Sequence, residues 1–158
     1  MRLCFHPIWL PFIMFLIFLN SVTYAQSGDK QSPPYKISKM LVMTYNHFDN
    51  SYSKDISDSK DIDFWNDLKL SLLATIEISG DPYYSGADRY VEVTAYEGKK
   101  LIQKNKYRIG IINYKTKAYY IPAWVYGPFC ESVTIKAKII GQNQGELIKK
   151  VVRFACGE

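Results

Sequence analysis

Two runs of side chains hold most of the chemistry available to this sequence. Between residues 99 and 117 stand Lys99, Lys100, Lys104, Lys106, Arg108, Lys115 and Lys117, with no acidic residue among them. Such a run offers cationic groups to a polyanion: an acidic polysaccharide, lipid headgroups or a nucleic acid. It equally fits a pair of edge strands that lysines protect against pairing with another sheet. The second run is aromatic: Tyr119, Tyr120, Trp124 and Tyr126 crowd into eight residues. If Tyr119, Ile121, Ala123 and Val125 face a core, then Tyr120, Trp124 and Tyr126 face outward with Pro122 between them. An outward aromatic row can stack on sugar rings or anchor a protein partner. The same rings could instead cover the rim of a core.

Other reactive side chains give weaker patterns. Asp49, Asp55, Asp58, Asp61, Asp63 and Asp67 lie in residues 46–67, and calcium takes several oxygen ligands of this kind. Asp61-Ile62-Asp63 has the alternation of a calcium loop but lacks its glycine and its closing glutamate. A solvated loop is therefore the expectation, and no metal ligands are assigned. His47 is the only histidine beyond the first 25 residues. It has no nucleophile motif beside it and reads as a lone surface histidine. The many carboxylates cannot be paired across a scissile bond from spacing alone. No catalytic residue and no cofactor motif is identified, so an enzyme of unrecognised type ranks third among the functional classes.

The first 25 residues read as a cleaved signal peptide. Arg2 gives a positive start, the apolar run ends at Leu19, and Thr23-Tyr24-Ala25 supplies a small residue at the cleavage point, making Gln26 the mature start. The alternative is an N-terminal membrane anchor. Residues 3–19, however, fall short of the about 20 apolar residues a span needs, and Pro7 and Pro11 weaken a continuous helix. The expected location is therefore secreted or periplasmic, with no stable membrane span once the leader is gone. Export also counts against nucleic acid as partner. Cleavage removes Cys4, leaving Cys130 and Cys156, an even pair that an oxidising compartment would join as a disulfide. The remaining chain carries 19 basic and 15 acidic residues, a mild net charge of +4, which solubility explains as readily as any partner does.

The elements that must position these side chains are strands. Residues 26–35, with Pro33-Pro34, read as an extended surface segment, and residues 36–158 as one domain of ordinary size. Residues 37–45 form an apolar, β-compatible run. The clearest alternation follows: Leu68, Leu70, Leu72, Ala74, Ile76 and Ile78 fall on one face, and only Leu73 breaks the period. Val91, Val93 and Ala95 repeat the pattern, and Glu97-Gly98 turns the chain toward Leu101 and Ile102. Further strands are expected over 107–114, with Ile109 and Ile111 on one face, and over 119–126. A final hairpin joins Val133, Ile135, Ala137 and Ile139 to residues 148–154. Its apolar faces agree if Val133 pairs with Phe154, Ile135 with Val152 and Ile139 with Ile148. That register requires a bulge or a strand end beside Cys130.

Seven to eight short strands without a long helix predict an all-β antiparallel β-sandwich, with an immunoglobulin-like arrangement preferred. The functional expectation is an exported, non-catalytic binding module for a protein or for an envelope or extracellular polysaccharide or polyanion. Its candidate binding residues are Tyr120, Trp124, Tyr126, Lys99, Lys100, Lys104, Lys106 and Arg108. The alternative is a structural or assembly component that pairs through an exposed strand edge. Sequence leaves strand order and oligomeric state open.

Overall fold

The computed structural model describes residues 35–57, 63–64, 70–83, 89–142 and 147–155. The expected leader (1–25), most of the extended segment that follows it, Asp58, Asp61, Asp67 and Cys156 lie outside the described residues. Ten strands run in chain order: β1 (Lys36–Asn46), β2 (Ser51–Tyr52), β3 (Asp63–Phe64), β4 (Leu70–Ser79), β5 (Tyr90–Glu97), β6 (Lys100–Arg108), β7 (Ala118–Tyr126), β8 (Val133–Ile140), β9 (Leu147–Val152) and β10 (Phe154–Ala155). They build two four-stranded antiparallel sheets, β2-β1-β4-β7 and β6-β5-β8-β9, and a small parallel pair, β10-β3. The result is an all-β sandwich, with no helix among the described residues.

Alternation explains the core. The even positions Leu70 to Ile78 of β4 are all buried, and from the facing sheet Val91, Val93, Ala95, Val133, Ile135, Ala137 and Ile139 meet them. In β1 the period shifts once. A bulge between Ile37 and Lys39 inserts Ser38, so that Ile37 and then Met40 and Val42 all point inward. The Ser38 hydroxyl bonds the Glu77 carboxylate at 2.7 Å, which ties the extra residue to β4.

Four expectations need correction. Tyr35 does not lie on the surface but is 4% exposed. The Gln142 side chain clasps its amide and carbonyl at 3.0 and 2.7 Å, and the Arg89 guanidinium lies 4.9 Å from its ring centre. The strand expected over 107–114 does not form, because β6 runs unbroken from Lys100 and ends at Arg108. Beyond that point the chain crosses to the other sheet, the two-residue period is lost, and Ile109 and Ile112 are buried while Ile111 is 80% exposed.

The final hairpin keeps the expected faces but pairs two residues away. Val133 lies opposite Val152, Ile135 opposite Lys150 and Ala137 opposite Ile148. A two-residue shift leaves every side chain on its own face. The cause lies at the strand end: the chain leaves the sheet at Arg153, β10 pairs with β3, and the Phe154 ring stacks on Phe129 at 5.3 Å instead of facing Val133. Cys130 precedes β8, as a strand end beside it requires, and its amide donates to Glu97 Oε1. The fourth correction concerns His47, taken up below.

Gly127 ends β7, where its amide donates to the Leu70 carbonyl at 3.2 Å. A Cβ at this position would run into that same carbonyl oxygen. Gly127→Ala is therefore expected to lower stability by about 1–3 kcal/mol, measured as a shifted denaturant midpoint with an unchanged slope.

Candidate functional site

The registers place the outward side chains of β1, β4 and β7 in rows. Met43, Leu73 and Trp124 share one row, Tyr45, Ser71 and Tyr126 the next, and Leu41, Thr75 and Pro122 the row on the other side. The outer face of this sheet is therefore apolar and aromatic as well as the inner one. Its charged row, Lys39, Glu77 and Tyr120, lies toward the far end. Leu73, the one violation of alternation in β4, sits at the middle of this face rather than being an error in the pattern.

The rings form a connected cluster. Trp124 and Tyr126 lie 6.5 Å apart and nearly parallel, at 13°, as alternate residues of one strand do when both point outward. Tyr45 meets Trp124 edge-on at 5.5 Å and 78°, and Tyr52 leans on both Tyr45 and Trp124. Tyr126 is 66% exposed and Tyr52 53% exposed, so two rings of the cluster are open to solvent. His47 belongs to it. The ring packs edge-on against Tyr45 at 4.7 Å, and Nε2 lies 2.7 Å from the Ser71 hydroxyl. His47 is exposed, as expected, but it is not alone. Ser71 is only 2% exposed, which leaves a substrate no approach to its hydroxyl.

Sequence reasoning placed Tyr120, Trp124 and Tyr126 outward, and all three are on the outer side of β7. It missed Tyr45, His47, Tyr52, Met43 and Leu73, which come from strands distant in sequence. The Leu73 violation was the available signal.

The basic candidates lie on β6, an edge strand of the second sheet. Lys104, Lys106 and Arg108 point to the outer face of that sheet. Lys100 starts the strand opposite Glu97, and Lys99 sits in the preceding turn with Gly98 at φ 54°. The Lys104 ammonium lies 3.1 Å from the Glu92 carboxylate. The strands that carry the basic and the aromatic candidates are linked where the Gln103 side-chain amide of β6 donates to the Trp124 carbonyl of β7 across neighbouring sheet edges. Beyond that link the two sets open onto opposite outer faces of the sandwich.

Neither edge of the aromatic sheet offers an unbroken row of backbone donors. The Trp124 carbonyl faces away from β4, so Pro122, two residues earlier, faces the same edge and lacks an N–H to offer there. At the other edge, residues 53–57 follow β1. Ser53 and Ile56 amides donate to the Thr44 and Val42 carbonyls, and the Thr44 and Val42 amides donate to Ser53 Oγ and Asp55 Oδ1, each at 2.9 Å. Asp55 of the acidic loop thus acts as a surrogate strand partner.

Burial of Asp55 works to raise its pKa, but the amides of Val42 and Ser57, helped by Lys150, outweigh it and hold the carboxyl below its ordinary value. A lowered folded pKa gives stability that is present above the unfolded value and lost as pH falls through the folded one. Asp55→Asn is expected to flatten the loss of stability below about pH 4. Because the side chain is solvent-screened, the cost at neutral pH is no more than about 1 kcal/mol. Urea titrations of both proteins across pH 2–7 would check this.

Among the described residues no helix is long and apolar enough to cross a membrane, and no group of three or more histidine, cysteine or acidic residues could hold a metal ion. The geometry defines a two-sheet antiparallel sandwich with an aromatic outer face. No protein-family model matches the chain, and no curated protein matches it.

Proposed function

We propose that this chain is an exported, non-catalytic binding module that holds a polysaccharide chain on the aromatic outer face of its first sheet. One observation carries the reading: the half-buried Trp124 and the exposed Tyr126 hold nearly parallel rings on the outer face, and Tyr45 and Tyr52 pack against Trp124. Rings already held by neighbouring rings lose little side-chain entropy on binding, and an aromatic ring suits the apolar face of a sugar. A protein partner is the second reading, favoured by the breadth of apolar side chains around the rings, Leu41, Met43 and Leu73. Assembly through an added strand is disfavoured at both edges of this sheet by Pro122, Gln103 and residues 53–57.

The strand order supports an immunoglobulin-like topology. Apart from short β2, the sandwich pairs β1-β4-β7 with β6-β5-β8-β9. This is the immunoglobulin arrangement with its fourth long strand moved to the opposite sheet. Export and a Cys130–Cys156 bridge complete the proposal. Intact mass spectrometry of the exported protein should give a chain beginning at Gln26 with no alkylatable thiol. A mass that includes Met1, or two reactive thiols, would refute this part.

Binding is tested on a panel of immobilised neutral polysaccharides. Tyr126→Ala and Trp124→Ala are each expected to weaken retention about tenfold, as loss of an aromatic anchor does. Tyr126→Ala should leave the melting temperature unchanged, because that ring is largely exposed. Unaltered retention by both variants, or no retention by the parent protein, would remove the aromatic face as the site.

A further inference from the structure

The second sheet carries a different outer face, and its charges come from three strands rather than from β6 alone. In register across the sheet, Lys104, Thr94, Lys136 and Lys149 form one row, and Lys106, Glu92, Lys138 and Leu147 form the next. Arg108 stands at the outer end of the following row, before Tyr90 and Ile140. Among the described residues Glu92 is the only acidic side chain these strands place on this face, against six cations. The arrangement is a band. It spans four strands, about 14 Å, and is two charged rows deep. The uncharged row Leu101, Tyr96, Thr134 and Val151 bounds one side of it, and Tyr90 and Ile140 bound the other.

Solubility alone does not account for such a band. A soluble surface intersperses both signs, whereas here Lys136 lies directly opposite Lys149, a like-charge pair that disfavours the sheet. Part of the repulsion is taken up internally, because the Lys136 ammonium lies 4.8 Å from the centre of the Tyr96 ring. What remains is a strip of positive potential crossing the strands, flanked by the outward rings of Tyr90 and Tyr96.

We propose that this band is a second binding site, for a linear acidic polysaccharide laid across β6, β5, β8 and β9. Its carboxylate or sulfate groups meet Lys104, Lys106, Lys136, Lys138 and Lys149. A bounded band fits a chain better than a planar bilayer, which would gain nothing from uncharged rows on either side. The site is independent of the aromatic face, because the two lie on opposite outer surfaces of the sandwich.

The test measures binding of the purified full chain to polygalacturonate and to dextran sulfate. Neutral dextran and vesicles of mixed phosphatidylglycerol and phosphatidylcholine serve as the comparison probes. Lys136→Gln/Lys138→Gln/Lys149→Gln is compared with Lys36→Gln/Lys39→Gln/Lys54→Gln, which removes the same charge from exposed positions outside the band. The expected result is salt-sensitive binding to both acidic polymers, weakened roughly 10- to 100-fold by the first triple variant and nearly unaffected by the second. Thermal melts confirm that both variants fold, and Lys104→Gln/Lys106→Gln supplies a further variant on a different strand. Neutral dextran in excess should not displace polygalacturonate, which separates this site from the aromatic one. Equal weakening by both triple variants, binding to the vesicles alone, no binding to the acidic polymers at low salt, or displacement of that binding by neutral dextran would each overturn the proposal.

Discussion

Leu72→Ala is expected to lower stability by about 3–5 kcal/mol, while Leu73→Ala, one residue along the same strand, costs about 1 kcal/mol or less. Leu72 is fully buried on central strand β4, between Thr44 of β1 and Val125 of β7. Removing its branch leaves a cavity that two packed sheets cannot close. Leu73 points the other way and is half-buried between Met43 and Trp124 on the outer face. Its loss removes contact area at a surface that can relax. The comparison is sharp because a one-residue slip of β4 would exchange the two values. Urea denaturation of the two single variants measures both. Similar costs would show that the outer face is as tightly covered as the core, and a reversed order would refute the register.

Phe154→Ala is expected to cost about 3–5 kcal/mol, a large part of the 5–15 kcal/mol by which a domain of this kind is stable. Phe154 is 5% exposed, and its ring stacks on Phe129 at 5.3 Å and 24°. Phe129 lies in the β7–β8 connection, so the pair fastens β10 to that crossover. Combining Phe154→Ala with Phe129→Ala should give a coupling of about 0.5–1.5 kcal/mol, as expected for contacting rings. Additive single costs would mean that the rings do not touch. Had Phe154 paired with Val133 as the sequence suggested, its partners would be β8 side chains and the cycle with Phe129 would show no coupling.

Period and chemistry in the sequence located β1, β4, β7 and β8, and for β4, β7 and β8 told the inner face from the outer one. Leu70 to Ile78 and Ile121 to Val125 alternate because a strand half-buried on a core must. The outward placement of Tyr120, Trp124 and Tyr126 follows from the same rule. Legibility failed where the chain left a sheet. Ile109, Ile111 and Ile112 offer an apolar run whose phase depends on where β6 stops. Tyr35 follows two prolines in a polar stretch, and only its clasp by Gln142 and Arg89, both distant in sequence, makes it part of the core. Asp55 reads as one of six acids in a loop, yet its carboxylate is fixed by amides of β1 and of its own turn.

By itself, then, the sequence determined a strand-built chain, the inner face of its best strands, and two groups of side chains, one basic and one aromatic. Tertiary structure alone decided that the basic residues of β6 join Lys136, Lys138 and Lys149, while the aromatic residues of β7 join Tyr45, Tyr52 and His47 on the other side. The physical reason is that alternation is a local property, fixed by the two-residue repeat of a strand. Strand order and register are set instead by burial summed over both sheets. A face is made of neighbours across strands, and no spacing along one strand records who those neighbours are.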